Sequence, residues 1–118
     1  MKYDKNNIFA KIIKGELPSN KVYEDEEVLA FDDISKSAPI HVLIVPKAEF
    51  IDFDDFVLNS TPETVASFFK KVCHIARSLD FNNNNYRLIT NKGEEASQTV
   101  KHFHVHLLGG KQLKERLL

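Results

Sequence analysis

The chain lacks the features by which several large classes of protein are recognised. Its single cysteine, Cys73, excludes an intrachain disulfide and fits a reducing compartment, so we expect a cytoplasmic protein. No segment approaches the ~20 consecutive apolar residues of a membrane span, and the first residues lack the apolar stretch of a signal peptide. The net charge of −1 offers no basic surface for nucleic acid or an anionic membrane. We therefore expect neither a nucleic acid nor a membrane as partner.

The length of 118 residues predicts a single domain that covers residues 1–118. A chain of this size buries only a small core, which a partner subunit would enlarge. The hydrophobic pattern runs helix, hairpin, strand, helix, strand, strand. This order predicts an α+β fold: a mostly antiparallel five-stranded sheet with one long helix and a short N-terminal helix.

The boundaries of these elements follow from local signals. Apolar residues at helical spacing predict a helix over 8–14, which Gly15 can end in the left-handed conformation. Ser60 or Thr61 can cap the long helix, whose apolar stripe is predicted to consist of Val65, Phe68, Phe69, Val72, Ala76 and Leu79. Segment 50–56 mixes aspartates with aromatics, and its secondary structure is not predicted. The strands are predicted over 21–24, 28–32, 41–45, 86–90 and 99–108, and the continuous apolar run of 41–45 predicts a central strand.

Three histidines at alternate positions carry the strongest functional signal. His102, His104 and His106 are separated by Phe103 and Val105, which is the two-residue period of a strand. One face is expected to carry Phe103, Val105 and Leu107 into a core. The other would hold the three imidazoles in a row, with neighbours roughly 6.5–7 Å apart.

Three interpretations of this row are open. Two of the histidines could share a metal, but a third ligand such as His41 or a carboxylate would be needed. The row could also be a solvated polar face without a function. In the third interpretation, a central imidazole attacks an electrophile while its neighbours position or protonate the substrate. Imidazole is a competent nucleophile toward phosphorus, and its N–H groups can bind phosphate oxygens.

The segment from Gln98 to Gly110 resembles the signature of the histidine triad nucleotide-binding proteins, His-φ-His-φ-His-φ-φ, where φ is hydrophobic. The similarity extends in order over most of the chain. Besides the signature, the matching segments are 8–18, 29–34, 38–47 and 86–91. The most similar branch is the Hint type, the phosphoramidase branch. The resemblance implies homodimers in which two sheets join into one.

The resemblance also implies roles for individual residues. His104 is expected to be the nucleophile, His106 to contact the phosphate and assist the leaving group, and His102 to support the arrangement. His41 matches a fourth histidine of the family. The nucleotide-binding residues that the resemblance implies are Asp33 on the ribose hydroxyls, Ile34 against the base, Asn91 and Thr99 at the phosphate or sugar, and Gln98 ahead of the triad.

These roles imply a hydrolase that cleaves purine nucleoside 5′-phosphoramidates through a nucleotidyl-histidine intermediate and releases a monophosphate such as AMP. Neither a cofactor nor a metal is expected. One alternative is a dinucleoside polyphosphate hydrolase of the same superfamily. Others are a nucleotide-binding or scaffold protein with little turnover and a metal-binding protein.

The sequence departs from the family pattern at three places. Asn7 and Ala10 stand where many bacterial relatives have a zinc-binding Cys-x-x-Cys, so that structural zinc site is expected to be absent. Glu49 stands where the family has a histidine. Ala96 and Ser97 replace two glycines ahead of the triad, which predicts an altered backbone in that loop.

Overall fold

The computed structural model describes residues 2–115 and 117–118 and has an α+β fold, as predicted. A five-stranded antiparallel sheet has the strand order β1-β2-β3-β5-β4, which puts β3 at its centre. Two 3₁₀ turns lie at Asn82–Asn84 and Glu94–Ala96. The strands are β1 (Lys21–Glu24), β2 (Val28–Asp32), β3 (Ile40–Pro46), β4 (Tyr86–Ile89) and β5 (Val105–Gly109), and the helices are α1 (Ile8–Ile13), α2 (Phe53–Leu58) and α3 (Pro62–Ser78).

The sheet buries both of its faces because helices cover it on two sides. Side chains alternate along each strand, so neighbouring residues enter different cores. Val42 and Ile44 of β3 pack in a core with α2 and α3, the α3-side core. Leu43 and Val45 pack with Phe9 of α1 on the opposite face, the α1-side core. This two-sided burial explains the continuous apolar run of the central strand.

The predicted helix signals are confirmed at α1 and α3. The Asn7 side chain accepts a hydrogen bond from the N–H of Ala10, and Gly15 follows α1 with a φ of +81°. Thr61 caps α3 by accepting from the N–H of Thr64. Within the described residues, no helix is long and apolar enough to cross a membrane.

The apolar stripe of α3 differs from the prediction at two positions. Ile75 is fully buried in the α3-side core although the predicted stripe omits it. Phe69, which the stripe includes, is 37% exposed. Because 3.6 residues make a turn, Ile75 lies three positions after Val72 on the same face as Phe68, and Phe69 lies at its edge.

Segment 50–56, which the sequence left open, contains the start of the short helix α2. The Asp52 side chain caps this helix by accepting from the N–H of Asp55. Phe56 points into the α3-side core and stacks on Phe103 with ring centroids 4.7 Å apart. The aspartates therefore cap and solvate the helix, and one phenylalanine holds it to the residue between the first two triad histidines.

The predicted histidine strand is wrong over its first half. A strand was expected over 99–108, whereas β5 begins only at Val105. The neighbouring strand β3 ends at Pro46, which has no N–H to donate. The carbonyl of Pro46 lies 2.7 Å from the ring Nε2 of His102. A side chain thus takes the bond that a longer ladder would have used.

Candidate active site

A cleft of about 640 Å³ opens on the α1 side of the sheet, where β2 ends and the triad begins. Its volume is in the range of pockets that hold small ligands. The apolar part of its lining includes Ile8, Phe9 and Ile12 of α1. Polar groups come from separate parts of the chain: Asp32, Asp33, Ser35, Asn91, Ser97, Thr99, His104 and His106.

The histidines do not form the predicted row. His104 and His106 line the cleft with ring centroids 5.1 Å apart, whereas His102 is fully buried and is not among the cleft residues of the described chain. The other half of the alternation prediction is confirmed, since Phe103, Val105 and Leu107 lie in the α3-side core. The backbone ahead of β5 leaves the strand conformation, and this is why the regular spacing is lost.

His104 is held in one tautomer by a main-chain carbonyl. Its Nδ1 lies 2.6 Å from the carbonyl oxygen of His102. A carbonyl only accepts, so the proton of neutral His104 is on Nδ1. Nε2 consequently carries a free lone pair. Phe9 packs edge-on against the ring at a centroid distance of 4.9 Å and fixes its plane.

A second chain of hydrogen bonds sets the tautomer of His106. The N–H of Ser37 donates to Nδ1 of His41 at 3.0 Å, so the proton of neutral His41 is on Nε2. This Nε2 lies 3.0 Å from Nδ1 of His106, which therefore accepts. The proton of His106 is left on its Nε2. The cleft thus holds one imidazole with a lone pair on Nε2 and one with a proton there.

The buried positions of these rings favour their neutral forms. Burial lowers the pKa of His102 to about 4. Burial, followed by the charges of His104 and His41, also lowers the pKa of His106 to about 4. The pKa of His104 is lowered by burial, against the opposing effect of its hydrogen bond to His102. Burial lowers the pKa of His41, and the nearby Asp33 works in the other direction. Neutral imidazole is the form that has a lone pair for attack.

Four of the five residues assigned to nucleotide binding line the cleft: Asp33, Ile34, Asn91 and Thr99. Asp33 Oδ1 accepts from the N–H of Ser35, and Oδ2 lies 3.5 Å from Nε2 of His41. Ile34 is fully exposed at the rim. An exposed apolar side chain beside a carboxylate is suited to a ligand with an apolar and a hydroxylated part.

Gln98 is not brought to the cleft, which corrects its assignment to nucleotide contact. It is 6% exposed, and its amide is used inside the protein. Nε2 donates to the carbonyls of Ile51 and Val100, and Oε1 accepts from the N–H of Gly93. Gln98 therefore braces the loop that carries Thr99 instead of binding the ligand directly.

Ser97 and Ser37 contribute to the site although the sequence did not point to them. Ser97 lines the cleft and has φ 64° and ψ 36°, the left-handed conformation. Non-glycine residues in this region are strained, and such strain concentrates at functional sites. Ser97 thus has a backbone conformation that glycine adopts without strain, and the predicted change relative to the family loop stays a prediction. Ser37 acts through its main-chain N–H, which sequence cannot reveal.

One group of side chains within the described residues could bring three metal ligands together. Ligand atoms of Asp33, His41 and His106 lie within 4.8 Å of one another. The tautomer of His41 opposes coordination. Its Nδ1 accepts from Ser37, so Nε2 carries the proton and has no lone pair for a metal. The donor set does not fit a metal ion without breaking the Ser37 bond.

The structural zinc of bacterial relatives does not fit the residues present either. Asn7 is engaged as the helix cap, and Ala10 has no donor atom. Glu49 forms an ion pair with Lys5 at 2.8 Å. Both ring nitrogens of His102 have protein partners. Hydrogen bonds and an ion pair within the chain therefore occupy the positions of the zinc ligands.

The HIT domain family model matches residues 14–113. The chain belongs to the HIT family. An uncharacterized HIT-like protein of Rickettsia prowazekii is 47% identical over 111 residues, which cover 94% of this chain and 92% of the relative.

Solved structures of HIT proteins share the fold. A HIT family hydrolase from Clostridium thermocellum is 42% identical with a TM-score of 0.83, over 98% of this chain and 99% of that one. A histidine triad protein from Clostridium difficile is 38% identical, with the same TM-score and coverage. The resemblance read from the sequence is confirmed at the level of the family and its hydrolase-type fold.

Acidification from pH 7 to pH 5 is expected to destabilise this HIT protein. An unfolded histidine binds a proton near pH 6.5, whereas folded His102 titrates at about 4. Stability that is present above pH 6.5 is therefore lost as the pH falls toward 4, by up to about 1.4 kcal/mol per pH unit for each such histidine. Urea denaturation at several pH values measures this loss.

The substitution His102→Gln removes the buried titrating group and leaves the other four histidines in place. We expect a smaller loss of unfolding free energy between pH 7 and pH 5 in this variant. His74→Gln, at an exposed position of α3, is the control and should retain the wild-type pH dependence. Identical pH dependence in wild type and His102→Gln would contradict the burial argument.

Proposed function

We propose that this HIT protein is a purine nucleoside 5′-phosphoramidate hydrolase that acts through a covalent nucleotidyl-histidine intermediate and releases the nucleoside monophosphate. The observation that carries the proposal is the tautomer of His104. Its Nδ1–H is bonded to the carbonyl of His102 at 2.6 Å, which leaves the lone pair of Nε2 on a ring that lines the cleft.

In the first step, Nε2 of His104 attacks the phosphorus of the substrate. The new N–P bond forms as the bond between phosphorus and the leaving amine breaks, and the amine takes that electron pair. An amine leaves poorly without a proton, so an acid is needed. In the free protein the hydrogen-bond chain through His41 keeps one proton on Nε2 of His106. When the substrate binds, a second proton from solvent occupies Nδ1 in place of the bond from His41. His106 then donates from Nε2 as an imidazolium and is neutral after the transfer.

The low pKa of His106 in the free protein is compatible with this role. An anionic phosphate bound beside the ring favours the imidazolium form and raises its pKa. Substrate binding therefore charges the acid only when there is a leaving group to protonate. In the second step, water attacks the phosphorus, its proton returns to His106, and the bond to Nε2 of His104 breaks.

The remaining cleft residues supply the chemistry that nucleotide binding needs. The Asp33 carboxylate can accept hydrogen bonds from both ribose hydroxyls. Asn91 and Thr99 offer donors for phosphate oxygens or the sugar. Ile34 and the α1 residues Ile8 and Ile12 give the cleft an apolar part for a purine base. No cofactor enters this scheme.

The homodimer is proposed through the edge strand β4. Within the described chain, β4 pairs with β5 and has no strand on its other side. Tyr86 and Leu88 on this strand are 36% and 44% exposed. An unpaired edge with apolar side chains favours pairing with another strand. Antiparallel pairing of two β4 strands would join two sheets into one.

Removal of the nucleophile is expected to abolish turnover. In excess chelator, wild type should release AMP from adenosine 5′-phosphoramidate, and His104→Ala should lower the rate by at least about 10³-fold. His74→Ala, on the exposed face of α3, is the matched control and should keep the wild-type rate. Wild type quenched in alkaline denaturant, where the N–P bond to histidine survives, should carry one nucleotidyl group by mass spectrometry.

Other outcomes of this assay distinguish the alternatives. A folded wild type that binds AMP but releases none from the phosphoramidate would favour a nucleotide-binding protein. Faster turnover of a diadenosine polyphosphate would favour the dinucleoside polyphosphate hydrolases. Loss of activity in chelator that one equivalent of zinc restores would favour a metal-dependent protein.

The substitution Asp33→Asn is expected to weaken the binding of AMP by about tenfold or more, because a hydrogen bond to a charged group contributes about 1.5–3 kcal/mol. Titration calorimetry with AMP and with its 2′,3′-dideoxy analogue separates the ribose contribution. Wild type should bind AMP more tightly than the dideoxy analogue, whereas Asp33→Asn should bind the two with similar affinity. Asp80→Asn, at an exposed carboxylate outside the cleft lining, is the control. Equal affinity of wild type for both nucleotides would contradict the proposal that Asp33 binds the ribose hydroxyls.

The substitution Leu88→Lys is expected to shift the protein from dimer to monomer, because two lysines would meet across the paired β4 strands. Size-exclusion chromatography with light scattering measures the mass over a range of concentrations. Val57→Lys, at a similarly exposed position of α2, should leave the dimer intact. A wild type that is monomeric at all concentrations tested refutes the dimer.

A further inference from the structure

A tyrosine near the N-terminus contacts the triad from outside the cleft. The hydroxyl of Tyr3 lies 2.6 Å from Nδ1 of His102, and the two rings meet edge to face at a centroid distance of 5.6 Å. Tyr3 is partly buried and is not among the cleft residues of the described chain. Its contact therefore serves the triad without touching the ligand.

The direction of this hydrogen bond follows from the other side of the imidazole. Nε2 of His102 lies 2.7 Å from the carbonyl of Pro46 and must donate, which leaves Nδ1 as an acceptor. The Tyr3 hydroxyl consequently donates. Burial raises the pKa of Tyr3, so the phenol keeps the proton that this bond needs. Both nitrogens of a fully buried imidazole are thereby satisfied.

The same histidine controls the nucleophile through its main chain. The carbonyl of His102 is the acceptor that keeps the proton of His104 on Nδ1, at a distance of 2.6 Å. The next residue is also fixed, because the N–H of Phe103 donates to the carbonyl of Phe50 at 2.7 Å. The ring and this carbonyl belong to one residue, so the hydrogen bonds of the ring help to fix the position of the carbonyl.

The N-terminal segment holds Tyr3 in place by polar contacts. Lys5 pairs with Glu49 at 2.8 Å, beside Pro46 and Lys47 at the end of β3. Asn7 fixes the other end of the segment as the cap of α1. This is the region in which the residues present do not fit a structural zinc. Contacts among protein groups therefore connect the segment from Tyr3 to Asn7 with the triad.

We propose that Tyr3 is a positioning residue: its hydroxyl holds the imidazole of His102 and, through the His102 carbonyl, keeps His104 in the tautomer with a free Nε2. The role in catalysis rests on the proposed hydrolase, whereas the role in setting the tautomer is a property of the free protein. Loss of the hydroxyl leaves a buried acceptor unpaired, which favours rearrangement of the ring.

The test compares Tyr3→Phe with Tyr23→Phe. Tyr3→Phe removes the hydroxyl and keeps the ring. Tyr23 is the matched control, because its hydroxyl donates to Asp25 at 2.7 Å, on the side of the sheet that packs against α3. The tautomers of the histidines are read from ¹⁵N NMR of protein labelled in its imidazole nitrogens. The rate of nucleotidyl-histidine formation is measured in single turnovers, and the affinity for AMP by calorimetry.

In wild type and Tyr23→Phe we expect one protonated Nδ1 and one unprotonated Nε2 for His104. In Tyr3→Phe the two nitrogens should approach averaged signals, and the single-turnover rate should fall about tenfold with the affinity for AMP unchanged. Wild-type His104 signals in Tyr3→Phe would overturn the proposal, even if activity fell. If wild type forms no intermediate while the NMR change appears, the hydrolase fails and the positioning role of Tyr3 stands.

If the Tyr3→Phe variant does not fold, a second experiment tests the same hydrogen bond. In a Tyr23→Phe, Tyr86→Phe background, Tyr3 is the remaining tyrosine and can be replaced by 3-fluorotyrosine, whose hydroxyl is the more acidic donor. The Nδ1 resonance of His102 should then shift relative to the unlabelled background. An unchanged resonance shows that the hydroxyl does not bind His102 and overturns the proposal.

Discussion

The site depends on one fully buried imidazole whose polar groups are all hydrogen-bonded inside the protein. His102 accepts from Tyr3, donates to the carbonyl of Pro46 and offers its own carbonyl to His104. A buried polar group without a partner costs about 1–3 kcal/mol, so this set of bonds allows one arrangement of the ring. The free lone pair on Nε2 of the neighbouring His104 is a consequence of that arrangement.

The sheet and the site impose conflicting demands on the same segment. Phe103 must enter the α3-side core, where it stacks on Phe56, while the histidines on either side need the opposite face. A regular strand would satisfy this alternation but would use the main-chain groups of residues 102–104 for pairing. Ending β3 at Pro46 frees these groups. The carbonyls of His102 and His104 then bond side chains, and the N–H of Phe103 donates to the carbonyl of Phe50. The rings of His104 and His106 lie 5.1 Å apart.

The hydrogen-bond partners of the four imidazoles decide how these side chains differ from one another. Four histidines of one type lie close together, yet each receives a different partner: a tyrosine, a carbonyl, an N–H or another histidine. Ser37 reaches His41 through its N–H, and His41 then reaches His106. Chemically equal side chains thereby obtain unequal proton positions, which is what a nucleophile and an acid in one cleft require.

The sequence by itself determined the fold class, the central position of β3 and the burial of Phe103, Val105 and Leu107, because alternation and apolar runs are local consequences of strand geometry. The resemblance also identified the family and pointed to Asp33, Ile34, Asn91 and Thr99, which the structure brings to the cleft with His104 and His106. The start of β5, the helix α2, the bracing role of Gln98 and the contact of Tyr3 with His102 were decided by the tertiary structure. Each depends on a partner distant in the chain, such as Pro46 or Ile51, and a hydrogen bond between such residues leaves no periodic signal in the sequence.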